Sequence, residues 1–142
     1  TARTLRDGWL WTGDIAVWDS EGYVFIVDRA KDMIISGGEN IYSTQVEAAI
    51  HQHPAVLESA VFGVPDPEWG EAVKAVVVLK PGLEASDDLV HALQALVKEA
   101  KGSVQAPKSI DFVDAIPLTP VGKPDKKAVR AQYWEGSGRA VG

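Results

Sequence analysis

The sequence predicts an α+β fold: a small mixed β-sheet with helices packed on it, preceded by a β-hairpin. Two observations carry this. From about residue 33 the hydrophobic pattern reads strand, helix, two strands, helix, strand, helix. Upstream, "IAVW" and "YVFIV" are β-branched and aromatic runs joined by the turn-rich "DSEG", which predicts a hairpin over residues 15–27.

Each element has its own signal. "MIIS" suits a short strand that Gly37 and Gly38 end. "STQVEAAIHQH" predicts a helix, because Thr44 and Glu47 make a capping-box pattern and Val46, Ala49 and Ile50 share one face. Pro54 stops it. "VLESAVFGV" and "AVKAVVVL" predict two strands separated by the loop "PDPEWGE". In "SDDLVHALQALVKEA", Ser86 is the expected N-cap and two aspartates suit the positive helix end. Leu89, Leu93, Leu96 and Val97 form its buried stripe. "SIDFV" predicts a further strand and "DKKAVRAQYW" a short helix, after which "EGSGRAVG" should fray.

The totals exclude several function classes. A chain of 142 residues can bury one real core but hardly two. A net charge of -6 argues against a general nucleic-acid binder, whose basic face must displace counterions. The local patch "KPDKKAVR" is the basic exception. With no cysteine there are no disulfides or thiolate metal sites, which is compatible with a reducing cytosol. Apolar runs such as "AVVVL" are too short to cross a bilayer, and no charged-then-apolar signal opens the chain. The opening "TARTLRDGWLWTGD" has no initiator Met and no strong element pattern, as expected of a piece cut from a longer protein.

Taken singly, the chemistry-bearing residues read as ordinary structure. Gly122-Lys123 is no phosphate-cradling loop, because the glycine further upstream is missing. Gly37-Gly38 reads as a turn, and Asp14 in "WTGD" as a turn residue. His51 and His53, two apart, fall on different faces of a helix with no carboxylate pattern beside them, so no metal site is expected. Trp9, Trp11 and Trp18 read as core or interface aromatics.

Taken together they say more. "GWLWTGD", "DRAKDMIISGGENIYSTQVE", "VPDPEWGE" and "PLTPVGKPDKKAV", in that order, resemble the C-terminal part of acyl-CoA synthetases of the adenylate-forming, AMP-binding superfamily, from about Gly8 to Tyr133. The resemblance implies a fatty- or aryl-acid–CoA ligase that forms an acyl-adenylate from ATP and passes the acyl group to coenzyme A. ATP with Mg would be bound mainly by an upstream N-terminal domain, which would also hold the carboxylic acid. It further implies that residues 1–30 end that large domain, 31–134 form a mobile C-terminal domain, and 135–142 are a flexible tail.

Residue by residue, the resemblance makes Lys123 the adenylation lysine, a point charge for the carboxylate and α-phosphate. Asp14 would accept from the ribose hydroxyls, Arg29 would contact the nucleotide, and Lys31 would be the hinge. Gly37 and Gly38 would line the pantetheine tunnel, with Trp69 and Lys108 at the nucleotide end of coenzyme A. Around Lys123 the prolines would limit the loop's freedom while Gly122 leaves one flexible joint. The chain departs from the pattern at Gln105 and Ala106, at Ser43 where proline is common, and at Trp11 where arginine is common. An adenylation domain loading a carrier protein and a non-catalytic interaction module of the same fold are the alternatives. The expected setting is cytoplasmic, without nucleic acid or a transmembrane segment. The segment alone should be inactive, and its exposed hairpin offers a route to an oligomer.

Overall fold

The computed structural model describes residues 12–134 and, for the backbone alone, residues 5–6 and 9–10. The tail expected to fray, and the side chains of Trp9 and Trp11, lie outside the described residues. β1 (Leu5–Arg6) and β2 (Trp9–Leu10) form a short antiparallel pair. β3 (Asp14–Trp18) and β4 (Val24–Arg29) form the predicted hairpin. Asp19 builds its turn by accepting the N–H groups of Glu21 and Tyr23 at Oδ1. The hairpin side chains are largely uncovered, with Trp18 79% and Ile26 69% exposed. Trp18 is therefore no core residue; with Val24 and Phe25 it belongs to an apolar ribbon open to a partner.

A short 3-10 turn (Ala30–Asp32) leads into the main body. It contains β5 (Ile34–Ser36), β6 (Glu39–Ile41), α1 (Ser43–Ile50), β7 (Val56–Asp66), β8 (Gly70–Leu79), α2 (Asp87–Lys101), β9 (Ser109–Phe112) and α3 (Lys126–Trp134). The sheet order is β6-β5-β8-β7, with β9 parallel to β8 and the other pairs antiparallel. β7 takes one edge of β8 along its whole length, so β5 and β9 share the other. There β5 sits at Gly70 and β9 along Lys74–Val77.

β6 was not expected from the sequence. Gly37 and Gly38 do more than end a strand: at φ +58° and +83° they form a two-residue turn that folds β6 back on β5. Two positive φ values in a row are what a tight hairpin turn needs.

Helices cover both faces of the sheet. Val73, Ala75 and Val77 of β8 pack into one cluster with Val46 and Ile50 of α1 and Leu93 and Val97 of α2. Val76 and Val78 point the other way, to Phe62, Ile116 and Val129 of α3. Burial on both sides explains why "AVVVL" is continuously apolar instead of alternating. α2 follows its sequence signals: Ser86 Oγ accepts from the Leu89 N–H at 3.1 Å, Leu93 and Val97 are buried, and Leu89 and Leu96 are half-buried.

The start of α1 differs from expectation, because the Thr44–Glu47 capping box does not form. Tyr42 is the N-cap residue and makes no side-chain cap. The Thr44 hydroxyl donates instead to the Val27 carbonyl. Glu47 turns inward, where Oε2 accepts from the Val61 N–H at 2.8 Å and pairs with Lys126 Nζ at 3.0 Å. The α1 terminus is capped from β4: buried Asp28 accepts from the Ser43 N–H at 2.7 Å and from the Ser43 hydroxyl. Lys126 Nζ also donates to Ser43 Oγ at 2.8 Å. One relay, Asp28–Ser43–Lys126–Glu47–Val61, therefore ties the hairpin, α1, α3 and β7 together. Burial pushes the Glu47 carboxyl above its ordinary value, while the Lys126 ammonium and the Val61 N–H pull it back.

Removing Lys126 from this largely buried ion pair leaves the Glu47 carboxylate with the Val61 N–H alone, at a cost of roughly 1–3 kcal/mol. Lys126→Met should therefore lower unfolding stability by about that amount in urea titrations. A loss below about 0.5 kcal/mol would make the pair no more than a surface bridge.

Candidate functional site

The loop carrying Lys123 is a closed turn. Gly122 N–H donates to the Thr119 carbonyl at 2.9 Å, and Thr119 N–H donates to the Lys123 carbonyl at 2.7 Å. The Lys123 N–H is directed at Thr119 Oγ1, and Leu118 bridges to Pro124 below. Pro120 in the second place and Gly122 in the fourth suit such a turn. Gly122, at φ +84°, is thus a fixed turn position and not the flexible joint that its place beside Lys123 suggests. The bracing projects Lys123 outward: the residue is exposed, and its ammonium makes no hydrogen bond or ion pair among the described residues.

Asp14 and Arg29 come together at the base of the hairpin, with Arg29 Nε 2.9 Å from Asp14 Oδ1. Arg29 also donates to the Thr12 carbonyl at 3.2 Å, and Ala30 N–H donates to the Gly13 carbonyl at 2.7 Å. The "TGD" turn is thereby locked onto the end of β4. Lys31 follows in the 3-10 turn, exposed, its carbonyl facing Arg130 Nη1 at 3.4 Å. Lys31 and Asp32 line a cleft of about 290 Å³ with Thr119, Lys127 and Arg130, so the Lys123 turn abuts the segment containing Lys31.

The glycine turn meets Trp69. Gly37 N–H donates to the Trp69 carbonyl at 2.9 Å. A methyl group added at Gly37 would lie 2.8 Å from the Trp69 ring, whereas one at Gly38 would meet nothing within 4 Å. The close approach at Gly37 is therefore made by the chain's own tryptophan, and Gly38 has the open face. Asp66 holds the opposite side of the turn, its Oδ1 accepting from the N–H groups of Glu68 and Trp69. Lys108 sits further along the same edge of β8, its N–H donating to the Val73 carbonyl at 2.8 Å. Lys108 is exposed, while Ala106 before it is buried in the core. Residue 106 is thus filled by packing and does not face an open surface.

The candidates therefore fall into two groups, one around Asp14, Arg29, Lys31 and the Lys123 turn, the other along the Gly37–Trp69–Lys108 edge. His53 Nδ1 accepts from the Ala55 N–H at 3.1 Å, and no metal-binding cluster occurs among the described residues. Among them, no helix is long and apolar enough to cross a membrane. Sequence reasoning passed over Asp28 and Glu71, whose partners are distant in the chain. Gly63 inside a strand pattern was the available hint of a close approach near Glu71.

Residues 45–123 match the AMP-binding enzyme C-terminal domain. The chain belongs to that family. A medium/long-chain fatty acid–CoA ligase of Mycobacterium tuberculosis, FadD8, is 56% identical over the whole of this domain-bearing chain, which spans 26% of that relative. A fatty acid–[acyl-carrier-protein] ligase, ScoC, of Streptomyces coeruleorubidus is 43% identical over 99% of the chain and 27% of the relative. Among solved structures, the amide bond synthetase McbA of Marinactinospora thermotolerans superposes with a TM-score of 0.82 at 44% identity, covering 94% of the chain and 27% of McbA. The chain thus spans about a quarter of the length of these relatives, and the α+β domain expected from the sequence is the fold of this family.

The two glycines of the turn should respond differently to substitution. Each alanine enters a left-handed backbone at a cost of roughly 1 kcal/mol. Gly37→Ala must also displace the Trp69 ring, so its loss should exceed that of Gly38→Ala, and Trp69→Ala should restore the excess. Equal losses in thermal unfolding, or no restoration, would contradict the packing described.

Proposed function

We propose that this chain is the C-terminal part of an ATP-dependent acid–CoA ligase, in which Lys123 serves acyl-adenylate formation and the glycine turn serves thioester formation. The observation that carries this reading is the Lys123 side chain: exposed, without a partner among the described residues, and projected by a turn closed by its own hydrogen bonds. A cation held in this way suits charge that develops elsewhere. As a carboxylate attacks phosphorus, negative charge moves over the α-phosphate oxygens, and a placed ammonium stabilises it without reorganisation.

The remaining residues fit the same chemistry. Asp14, oriented by Arg29, presents a carboxylate suited to a ribose diol. Arg29, half exposed, contributes positive charge beside the nucleotide. Lys31, in a three-residue 3-10 turn between the hairpin and the sheet, is the pivot on which residues 31–134 move against an upstream domain. Gly38 gives the acceptor's pantetheine arm its close backbone approach, Gly37 holds the turn against Trp69, and Lys108 lies along the same edge for the nucleotide end of coenzyme A. ATP and its Mg are held by the upstream domain, since this chain offers only the diol and α-phosphate contacts. The apolar hairpin ribbon is covered by that domain, and the isolated chain is inactive. The cytoplasm, where ATP and coenzyme A are available, is the setting that fits.

A second reading concerns the acceptor alone. The likeness to ScoC, named for an acyl-carrier-protein acceptor, favours a protein-bound phosphopantetheine thiol at the same glycine turn. Assaying the full-length protein with each thiol separates the two.

The division of labour is tested by half-reactions in the full-length protein. Lys123→Ala should slow acyl-adenylate formation by about 10²–10³-fold while thioester formation from supplied acyl-adenylate stays near wild type. Equal losses in both would contradict it.

A further inference from the structure

The β5–β6 hairpin, whose tip is the Gly37–Gly38 turn, buries Ile34 and Ile41 in the core, and the Gly37 N–H donates to the Trp69 carbonyl. The hairpin's only ladder contact with β8 is the Ser36–Gly70 pair. The outward N–H of Ile35 would, in a continuing sheet, donate to a strand carbonyl. It donates instead to a side chain, with Glu71 Oε2 accepting at 3.0 Å. A carboxylate from β8 thus stands in for the missing ladder partner one residue from Ser36 and two from Gly37.

The room for this carboxylate is made by Gly63 on β7. A methyl group at Gly63 would collide with Glu71 Oε1 and lie 2.9 Å from its carboxyl carbon. Gly63 has no positive φ to explain its identity, and a side chain there would press on Glu71 and, at 3.2 Å, on Ile34 Cγ2. The Gly63 carbonyl also accepts from Trp134 Nε1 at 2.7 Å, which anchors that stretch of β7 to α3. Glu71 thus directs a carboxylate oxygen at the backbone of β5, next to the turn.

We infer that Glu71 is the positioning residue for the glycine turn: its carboxylate, seated over Gly63, fixes the β5–β6 hairpin so that Gly38 meets the acyl acceptor in one place. The inference rests on the reading of the Gly37–Gly38 turn as the thioester-step surface. Glu71 itself touches neither acceptor nor reacting atoms. Its loss should act through geometry, raising KM for the thiol and slowing transfer while leaving adenylation alone.

The test uses the full-length protein and four variants. Glu71→Met keeps the bulk and removes the acceptor, whereas Glu71→Gln keeps a carbonyl acceptor. Gly63→Ala leaves Glu71 intact but displaces it, and Gly38→Val fills the open face directly. Acyl-adenylate formation and transfer from supplied acyl-adenylate to coenzyme A are measured separately, with amide exchange at Ile35 reporting the local bond. Glu71→Met and Gly63→Ala are expected to slow transfer by at least about tenfold and to speed Ile35 exchange, with Glu71→Gln close to wild type. If Gly38→Val slows transfer but Glu71→Met and Gly63→Ala do not, the role of Glu71 is overturned and the reading of the turn stands. If none of the variants slows transfer, that reading falls and takes the inference with it. Equal slowing of both half-reactions in Glu71→Met and Gly63→Ala would reduce Glu71 to a general structural part and overturn its assignment to the turn.

Discussion

Asp28 is 4% exposed and sits at the end of an otherwise uncovered hairpin, and much of the structure follows from how its carboxylate is satisfied. A buried carboxylate needs donors. Asp28 finds them in Ser43, whose N–H and hydroxyl both point to it at the start of α1. Ser43 in turn accepts from Lys126, which also faces Glu47, and Glu47 takes up the Val61 N–H. Serine matters here, because a proline at this position would supply neither of the donors that Asp28 uses. The negative charge at the helix N-terminus also complements the α1 dipole.

The relay also bears on how the two groups of candidate residues are held. α3 starts at Lys126, three residues beyond Lys123, so anchoring Lys126 to α1 also anchors the stem of the Lys123 turn. At its other end α3 is held by Tyr133, which donates to Asp111 at 2.8 Å while Lys74 Nζ lies 4.6 Å over its ring. Burial first, and then the hydrogen bond and charge of Asp111, push the Tyr133 hydroxyl up to about 12. It therefore stays a protonated donor throughout the neutral range. Trp134 reaches the β7 carbonyl beside Glu71, so the same helix braces both loops.

What could be read from the sequence was what depends on neighbours in the chain. The α2 N-cap, the Leu93 and Val97 part of its stripe, the Asp19 turn and the strand at "AVVVL" all obey local or periodic rules, and they appear where expected. Most of the misses come from partners distant in the chain, while Gly122 sits in a local turn that reads as a joint. Thr44 and Glu47 have capping-box spacing, but Lys126 and the Val61 N–H, far along the chain, offer Glu47 better partners. Gly122 looked like a joint until Thr119 and Lys123 were seen to close the turn around it. Gly37 looked open until Trp69, more than thirty residues on, was found against it. For the site, residue types and their order pointed to Asp14, Arg29 and Lys123. The contacts that hold Asp14 and Arg29 run across the hairpin, whereas the Lys123 turn is closed locally by Thr119 and Gly122.

The relay acts as a single unit joining the hairpin end, α1, α3 and β7. Amide hydrogen exchange at its two ends, the Ser43 and Val61 N–H groups, tests this most directly when wild-type full-length protein is compared with Lys126→Met. Both amides are expected to be protected in the wild type and to lose protection together in the variant, although Lys126 bonds to neither. Loss at Val61 alone, with Ser43 unchanged, would show two independent contacts and contradict the relay.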